Sequence, residues 1–233
     1  MARKLFELTG KNPEWRFSPF VWRSRLALYH KGLDFEGIAW NFTDKAAIEQ
    51  SGQGKVPVLV DGDQWISDSW NIACHLDQTY PDQPRLIPQG SIALMHAFNQ
   101  MVDAHIHALF RPLVVMEIYD ALDAQDQAYF RQTREPMLGK TLEAYAGDKD
   151  QNRELLWKGL SPFEPTLKNN SFFGGDHPNY ADHIMMGAFM WAKCTSDYAL
   201  LPSDHPFFSW RERMLDQYGA KARTAAGFAI KPL

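Results

Sequence analysis

With 233 residues, 45% of them apolar and 22% charged, the chain has the composition of a soluble globular protein built as one large domain or two small ones. A formal net charge of -4 gives no electrostatic footprint for nucleic acid or an anionic membrane, and no apolar run is long enough to span a bilayer. No charged-then-apolar leader opens the sequence, so the expected compartment is the reducing cytoplasm. Cys74 and Cys194, far apart in apolar helical patterns, are expected as buried free thiols.

"KLFELT" (Lys4 to Thr9) predicts a first strand, followed by a polar loop, "GKNPEWRF". A helix is expected from Ser18 to Gly32, with Ser18-Pro19 as its start and the glycine after Lys31 as its stop. "FEGIAWNF" (Phe35 to Phe42) reads as a second strand, and "TDKAAIEQS" as a short helix capped by Thr43. "VPVLVDGDQWIS" has the form of a hairpin around Asp61-Gly62, and "DSWNIACHLDQTY" carries Trp70, Ile72, Ala73, Leu76 and Tyr80 at helical spacing. This order suggests a small mixed sheet with helices packed on it. The proline-rich "PDQPRLIPQG" reads as a linker.

Beyond Ser91 the strand signals largely stop. Helical windows run over about 91–122, 125–146, 152–168, 180–195 and 205–218, with Pro112 placed to kink the first. The expected organisation is therefore an α/β domain over 1–82, a linker over 83–90 and an all-helical domain over 91–233.

Three features of the first half carry chemistry. Ser18-Pro19 is a helix cap worth about 1 kcal/mol, and it also sets a hydroxyl beside the positive end of a helix dipole. Pro57 in "KVPVL" is either a plain strand-start proline or a cis residue that frees the Val56 N–H and C=O for an extended peptide. Asp68-Ser69 either complements the dipole of the next helix or presents a carboxylate and helix-terminal N–H groups to a zwitterionic ligand end. His105 and His107, two apart on a helix, make a poor metal pair, and no metal-binding spacing occurs.

In combination, "SPFVWR", "KVPVLVDGDQWISDSWNIACHLDQTYPD" and "HPNYADHIMMGAFMWA" resemble the glutathione transferase superfamily. "SPFVWRSRLALYHKG", "HALFRPLVVMEIYD" and "YFRQTREPMLGKTLE" are similar to a narrower serine-type group, that of bacterial beta-aryl etherases and related fungal transferases.

The resemblance implies a thioredoxin-like domain that binds glutathione, followed by an all-α domain that walls an acceptor site, with no metal and a homodimeric assembly. It implies that Pro57 is cis, that Val56 pairs with the cysteinyl backbone of glutathione, and that Asp68 and Ser69 hold its γ-glutamyl end. Lys55 would stand near the glycyl carboxylate, unless it is simply an exposed loop lysine.

Ser18 would be catalytic. Only a few per cent of a free thiol is thiolate at neutral pH, and lowering its pKa by about two units needs roughly 2.7 kcal/mol, within reach of one charge-assisted hydrogen bond and a dipole. Serine cannot perform thiol–disulfide exchange, which argues against a glutaredoxin-like role. His107, Phe110 and Arg111 are the acceptor-site candidates, although a satisfied histidine in a helix interface is the favoured reading of His107. Asn179 and Asp182 read as a capping box, and the superfamily's matching buried motif serves folding.

The expected function is attack of the glutathione thiolate on a hydrophobic aromatic electrophile, in the etherase-like version with cleavage of a β-aryl ether. The alternatives are a non-catalytic binder of bulky aromatic ligands and a relative that keeps the fold without turnover. The loop before Ser18 would lid the cleft through Trp15 or Phe17.

Overall fold

The structure, a computed structural model, describes residues 3–233. Four strands form one mixed sheet in the order β2-β1-β3-β4. β1 (Arg3–Leu8) runs parallel to β2 (Phe35–Trp40) because helix α1 (Pro19–His30) carries the chain back across the sheet. β3 (Val58–Asp61) pairs antiparallel with both β1 and β4 (Gln64–Ser67). Leu5 and Leu59 oppose one another on the buried face. The hairpin closes one residue later than its sequence signal: Asp61 pairs with Gln64, so the loop is Gly62-Asp63, with Gly62 supplying the positive φ of 63°.

α1 starts and stops on its signals. The Ser18 hydroxyl accepts the Val21 N–H, Pro19 is the first helical residue, and Gly32 takes φ 65° beyond the C-cap Lys31. "AAIEQS" forms short 3-10 turns (Ala46–Ser51) broken at Ile48, and Thr43 does not cap them. Its N–H and hydroxyl instead donate at 3.0 and 2.8 Å to Asp126, a buried carboxylate that also takes the Phe42 N–H at 2.8 Å. A buried carboxylate needs all three donors, and it outcompetes a local cap. α2 (Ser69–Thr79) closes this half.

The 83–90 segment is tied down. Leu86 and Ile87, both buried, donate their N–H groups at 2.9 Å to Asp77, which also pairs with the buried Lys31 at 2.6 Å. The Leu86 carbonyl then accepts the Tyr180 N–H.

The helical half follows the predicted windows with physical breaks. The first divides into α3 (Ile92–Met101), a π turn (Val102–Ile106) and α4 (His107–Ala121). The departure from α geometry thus precedes Pro112, which lies inside α4. The second splits at Gly139, φ 71°, into α5 (Ala124–Leu138) and α6 (Leu142–Ala146). The third begins early, at α7 (Lys149–Leu160), because Asp148 caps it, and a 3-10 turn holding Pro162 separates it from α8 (Glu164–Asn169), whose first turn takes Pro165. α10 (Pro206–Ala220) loses helical geometry at Gln217.

α9 (Tyr180–Thr195) is the central strut, with every residue buried except Trp191. It crosses α1 at Gly187, where a Cβ would stand 2.5 Å from the Pro19 carbonyl oxygen. Gly187 therefore lets α9 support the turn of α1 that carries Ser18.

α9 also buries His183. The Tyr218 hydroxyl lies 2.8 Å from His183 Nε2 and 2.9 Å from His30 Nδ1. Burial holds both imidazoles, and His107, below the usual 6.5. The unfolded chain protonates them near that value while the folded chain resists, so stability is full above about pH 6.5 and falls as the pH drops. Each imidazole contributes up to about 1.4 kcal/mol per pH unit. Burial raises the carboxyls of Glu7 and Asp182 above their usual 4.5 and 3.8, an opposing effect that runs from those values up to the raised ones. Urea midpoints at pH 7.5 and 5.5 should differ clearly, the lower belonging to pH 5.5; equal midpoints would contradict protonation-resistant imidazoles.

Candidate functional site

A cavity of about 550 Å³ opens between the head of α1, the end of β2 and helices α4 and α5. Ser18 faces it and is 5% exposed. Its oxygen accepts the Val21 N–H at 3.3 Å, while its O–H donates to no group among the described residues. A hydroxyl with a free proton, held at a helix N-terminus, is set to donate to an anion in the cavity.

Lys55 and Val56 line the same cavity. The Val56-Pro57 bond is cis, and the Val56 N–H and C=O have no hydrogen-bond partner among the described residues. Asp68 and Ser69 adjoin this point without lining the cavity. The Asp68 N–H donates to the Pro57 carbonyl at 3.3 Å, and its carboxylate takes the Trp70 and Asn71 N–H groups at 2.8 and 3.3 Å. Asp68 adopts φ 75° with ψ 135°, a region that costs a non-glycine residue about 1–3 kcal/mol. Ser69 is buried, and its carbonyl accepts the Tyr180 hydroxyl at 2.7 Å.

Of the three acceptor candidates only Arg111 reaches the cavity. Phe110 does not: it is fully buried and packs edge-on against Phe189, with ring centroids 5.0 Å apart. A helix turns 100° per residue, so Arg111, Val115 and Ile118 form the cavity-facing stripe and Phe110 points into the core. His107 is also withdrawn. It packs behind Phe20 and Trp191, both of which do line the cavity, and its Nε2 lies 3.2 Å from Arg23 Nη2. Burial and the charges of Arg23 and Arg111 hold it neutral, the satisfied interface histidine rather than a ligand contact.

The family model described as the N-terminal domain of glutathione S-transferase matches residues 13–84, and the one described as the C-terminal domain matches residues 93–199. The chain belongs to the glutathione transferase superfamily. Glutathione S-transferase 4 of Zea mays is 28% identical over 218 residues, 91% of this chain and 87% of the relative. The glutathione S-transferase-like protein ustS of Aspergillus flavus is 29% identical over 216 residues, 79% of this chain and 76% of the relative. Among solved structures, glutathione transferase GSTFuA3 from Phanerochaete chrysosporium matches with a TM-score of 0.82 at 26% identity, over 92% of this chain and 96% of that one. The glutathione S-transferase CsGST63524 of Ceriporiopsis subvermispora, in complex with glutathione, matches with a TM-score of 0.82 at 26% identity, over 94% and 96%. The fold is the glutathione transferase fold, with a four-stranded thioredoxin-like domain preceding a helical one.

Several wall residues of this transferase escape a reading by sequence alone. Trp40, Phe42 and Lys45 come from the end of β2 and the chain after it, a stretch whose polar loop residues hide its direction. Lys45 donates to the Gly54 carbonyl at 2.7 Å and lies over the Trp40 and Tyr129 rings at 4.8 and 5.0 Å. On α5, Phe130, Arg134, Met137 and Leu138 recur at helical spacing and face the cavity, a stripe visible in the sequence once its partner surface is known.

The loop before Ser18 is pinned from within. Arg16 pairs with the buried Glu7 at 2.9 Å, and its carbonyl accepts the Trp22 indole N–H. Phe17 is buried in the cavity wall, whereas Trp15 packs away from it against Phe228, 5.8 Å between centroids. Neither cysteine faces the cavity: both are free, and burial pushes the Cys194 thiol up to about 11 and raises that of Cys74. No metal-binding cluster of His, Cys, Asp or Glu occurs among the described residues.

Proposed function

We propose that the protein is a serine-type glutathione transferase in which Ser18 stabilises the glutathione thiolate for attack on a hydrophobic aromatic electrophile. The observation that carries this reading is the Ser18 hydroxyl, with its proton free, at the head of α1 and facing a cavity walled by aromatic side chains. Glutathione lies along the unpaired Val56 backbone, with its γ-glutamyl end towards Asp68 and Ser69 and its glycyl carboxylate towards Lys55. The Asp68 outlier supports this placement, because backbone strain persists where function holds it.

With a halide or an ether the sulfur forms a bond to the electrophilic carbon as the bond to the leaving group breaks; with an isothiocyanate it adds to the central carbon, and the C=N π pair moves to nitrogen, which takes a proton from water. A halide departs as the anion. An aryl ether departs as phenolate and takes a proton from water. Ser18 is not itself the nucleophile; its hydrogen bond stabilises charge on sulfur. β-Aryl ether cleavage is the member of this class favoured by the resemblance to the etherase group. A cytoplasmic, detoxifying homodimer belongs to the same reading, supported by two free thiols and by the exposed Ile92 and Leu94 on α3.

A panel of aryl halides, isothiocyanates and β-aryl ether models with glutathione tests it. Turnover of at least one class well above the uncatalysed rate is expected. No turnover on any, beside micromolar binding of aromatic ligands, would replace the enzyme with a binder.

A further inference from the structure

The cavity wall contains four cationic side chains, Lys45, Lys55, Arg111 and Arg134, and no aspartate or glutamate. Lys45, Arg111 and Arg134 are partly buried and Lys55 is exposed; a partly buried charge is ordinarily paired, because its desolvation is costly. Here none of the four forms an ion pair with a carboxylate among the described residues. Their positions divide them. Lys45 and Lys55 flank Gly54 beside Val56, at the glutathione end. Arg111 and Arg134 come from α4 and α5, in the wall supplied by the helical half.

In the proposed placement the two lysines and Asp68 adjoin glutathione, and the two guanidinium groups stand on the opposite, helical wall. Arg134 lies over the Phe42 and Phe130 rings at 5.4 and 5.3 Å, and its one hydrogen bond goes to Thr133 Oγ1. Arg111 makes no side-chain hydrogen bond among the described residues. Arg111 and Arg134 line the same cavity, and the pKa of Arg134 is lowered chiefly by burial and, to a lesser degree, by the charge of Arg111. Like charges drawn together without a counterion are what an anion site looks like before its ligand arrives, and the planar guanidinium favours a carboxylate.

We propose that the acceptor site takes an aromatic compound bearing a fixed carboxylate, held by Arg111 and Arg134 while its ring lies among the aromatic side chains of the wall. This rests on the transferase reading of the cavity and narrows its substrate class from hydrophobic aromatics to aryl carboxylates.

The test is equilibrium binding of 2-naphthoate and of its neutral counterpart 2-naphthamide, with S-methylglutathione present to occupy the lysine end. Both are read by the fluorescence of Trp40 and Trp191, which line the cavity. Wild type should bind the naphthoate roughly tenfold or more tightly than the naphthamide, the order of one charge-assisted hydrogen bond. Arg111→Gln and Arg134→Gln should each weaken naphthoate binding several-fold, and the double variant should erase the preference while naphthamide affinity stays within about twofold. Equal affinities in wild type, a preference that survives the double variant, or a parallel loss of both ligands would overturn the proposal. Retained discrimination without turnover of any acceptor would remove the conjugation reading and leave this one standing. Turnover of neutral acceptors without discrimination would do the reverse.

Discussion

Asp182→Ala is expected to lower folding stability by about 4 kcal/mol, the range seen when a buried charged network loses its central partner. One carboxylate oxygen accepts the Phe173 N–H and the Trp210 indole N–H, both at 2.8 Å, and the other accepts the Gly174 and Asn179 N–H groups, both at 3.0 Å. Asp182 and Trp210 are both fully buried, so the stranded indole donor has no route to water. Because α9 also supports the head of α1 through Gly187, the loss reaches the site as well as the fold. Asp182→Asn keeps one acceptor oxygen but turns its amide hydrogens towards two of the donors, and should recover only part of the stability. Denaturant midpoints read both variants. A loss under about 1 kcal/mol for the alanine would mean that the four donors find other partners.

Ser18→Ala is expected to reduce the rate of conjugation by roughly 10- to 100-fold at neutral pH while leaving glutathione affinity largely intact. Removing one donor to a developing anion costs about 10²–10³ where that donor is an oxyanion-hole group, and a thiolate that already exists in part in solution needs less help. The same change removes the acceptor for the Val21 N–H, with a stability cost of about 1 kcal/mol. The two effects separate by measurement: steady-state rates for the first, denaturant midpoints for the second. A variant that loses stability but keeps its rate would reduce Ser18 to a helix cap. Ser18→Cys should instead introduce thiol–disulfide exchange with glutathione, since a thiol at a helix N-terminus has a depressed pKa.

Much of the sheet half was legible because its signals are local. Ser18-Pro19 and Gly32 bracket α1 by hydrogen-bond demand and φ preference alone, and Asn179 with Asp182 reads as a capping box from spacing. The structure keeps that cap and adds three further donors, from residues 173 and 174 and from Trp210. Those partners lie beyond any local pattern. Thr43 departs from its local cap signal for the same reason: its acceptor, Asp126, is 83 residues away.

The acceptor wall was legible in part. The resemblance points to α4 as site wall but not to the face it presents, so Phe110 and Arg111, adjacent in sequence, lie in the core and in the cavity. The π turn at 102–106 sets the rotation of α4, and nothing in the sequence of those residues announces it. The role of α5 as a wall is not legible, because amphipathic spacing shows which residues share a face and leaves its partner open.

The most direct test of the central claim is ultraviolet titration of enzyme-bound glutathione, following the thiolate absorbance from pH 5 to 10 in wild type and in Ser18→Ala. The bound thiol should titrate about two pKa units below the free value of about 8.5 in wild type and move back towards it in the variant. A wild-type curve that overlays free glutathione, or a variant curve that overlays wild type, would contradict the role of Ser18 as the group that stabilises the thiolate.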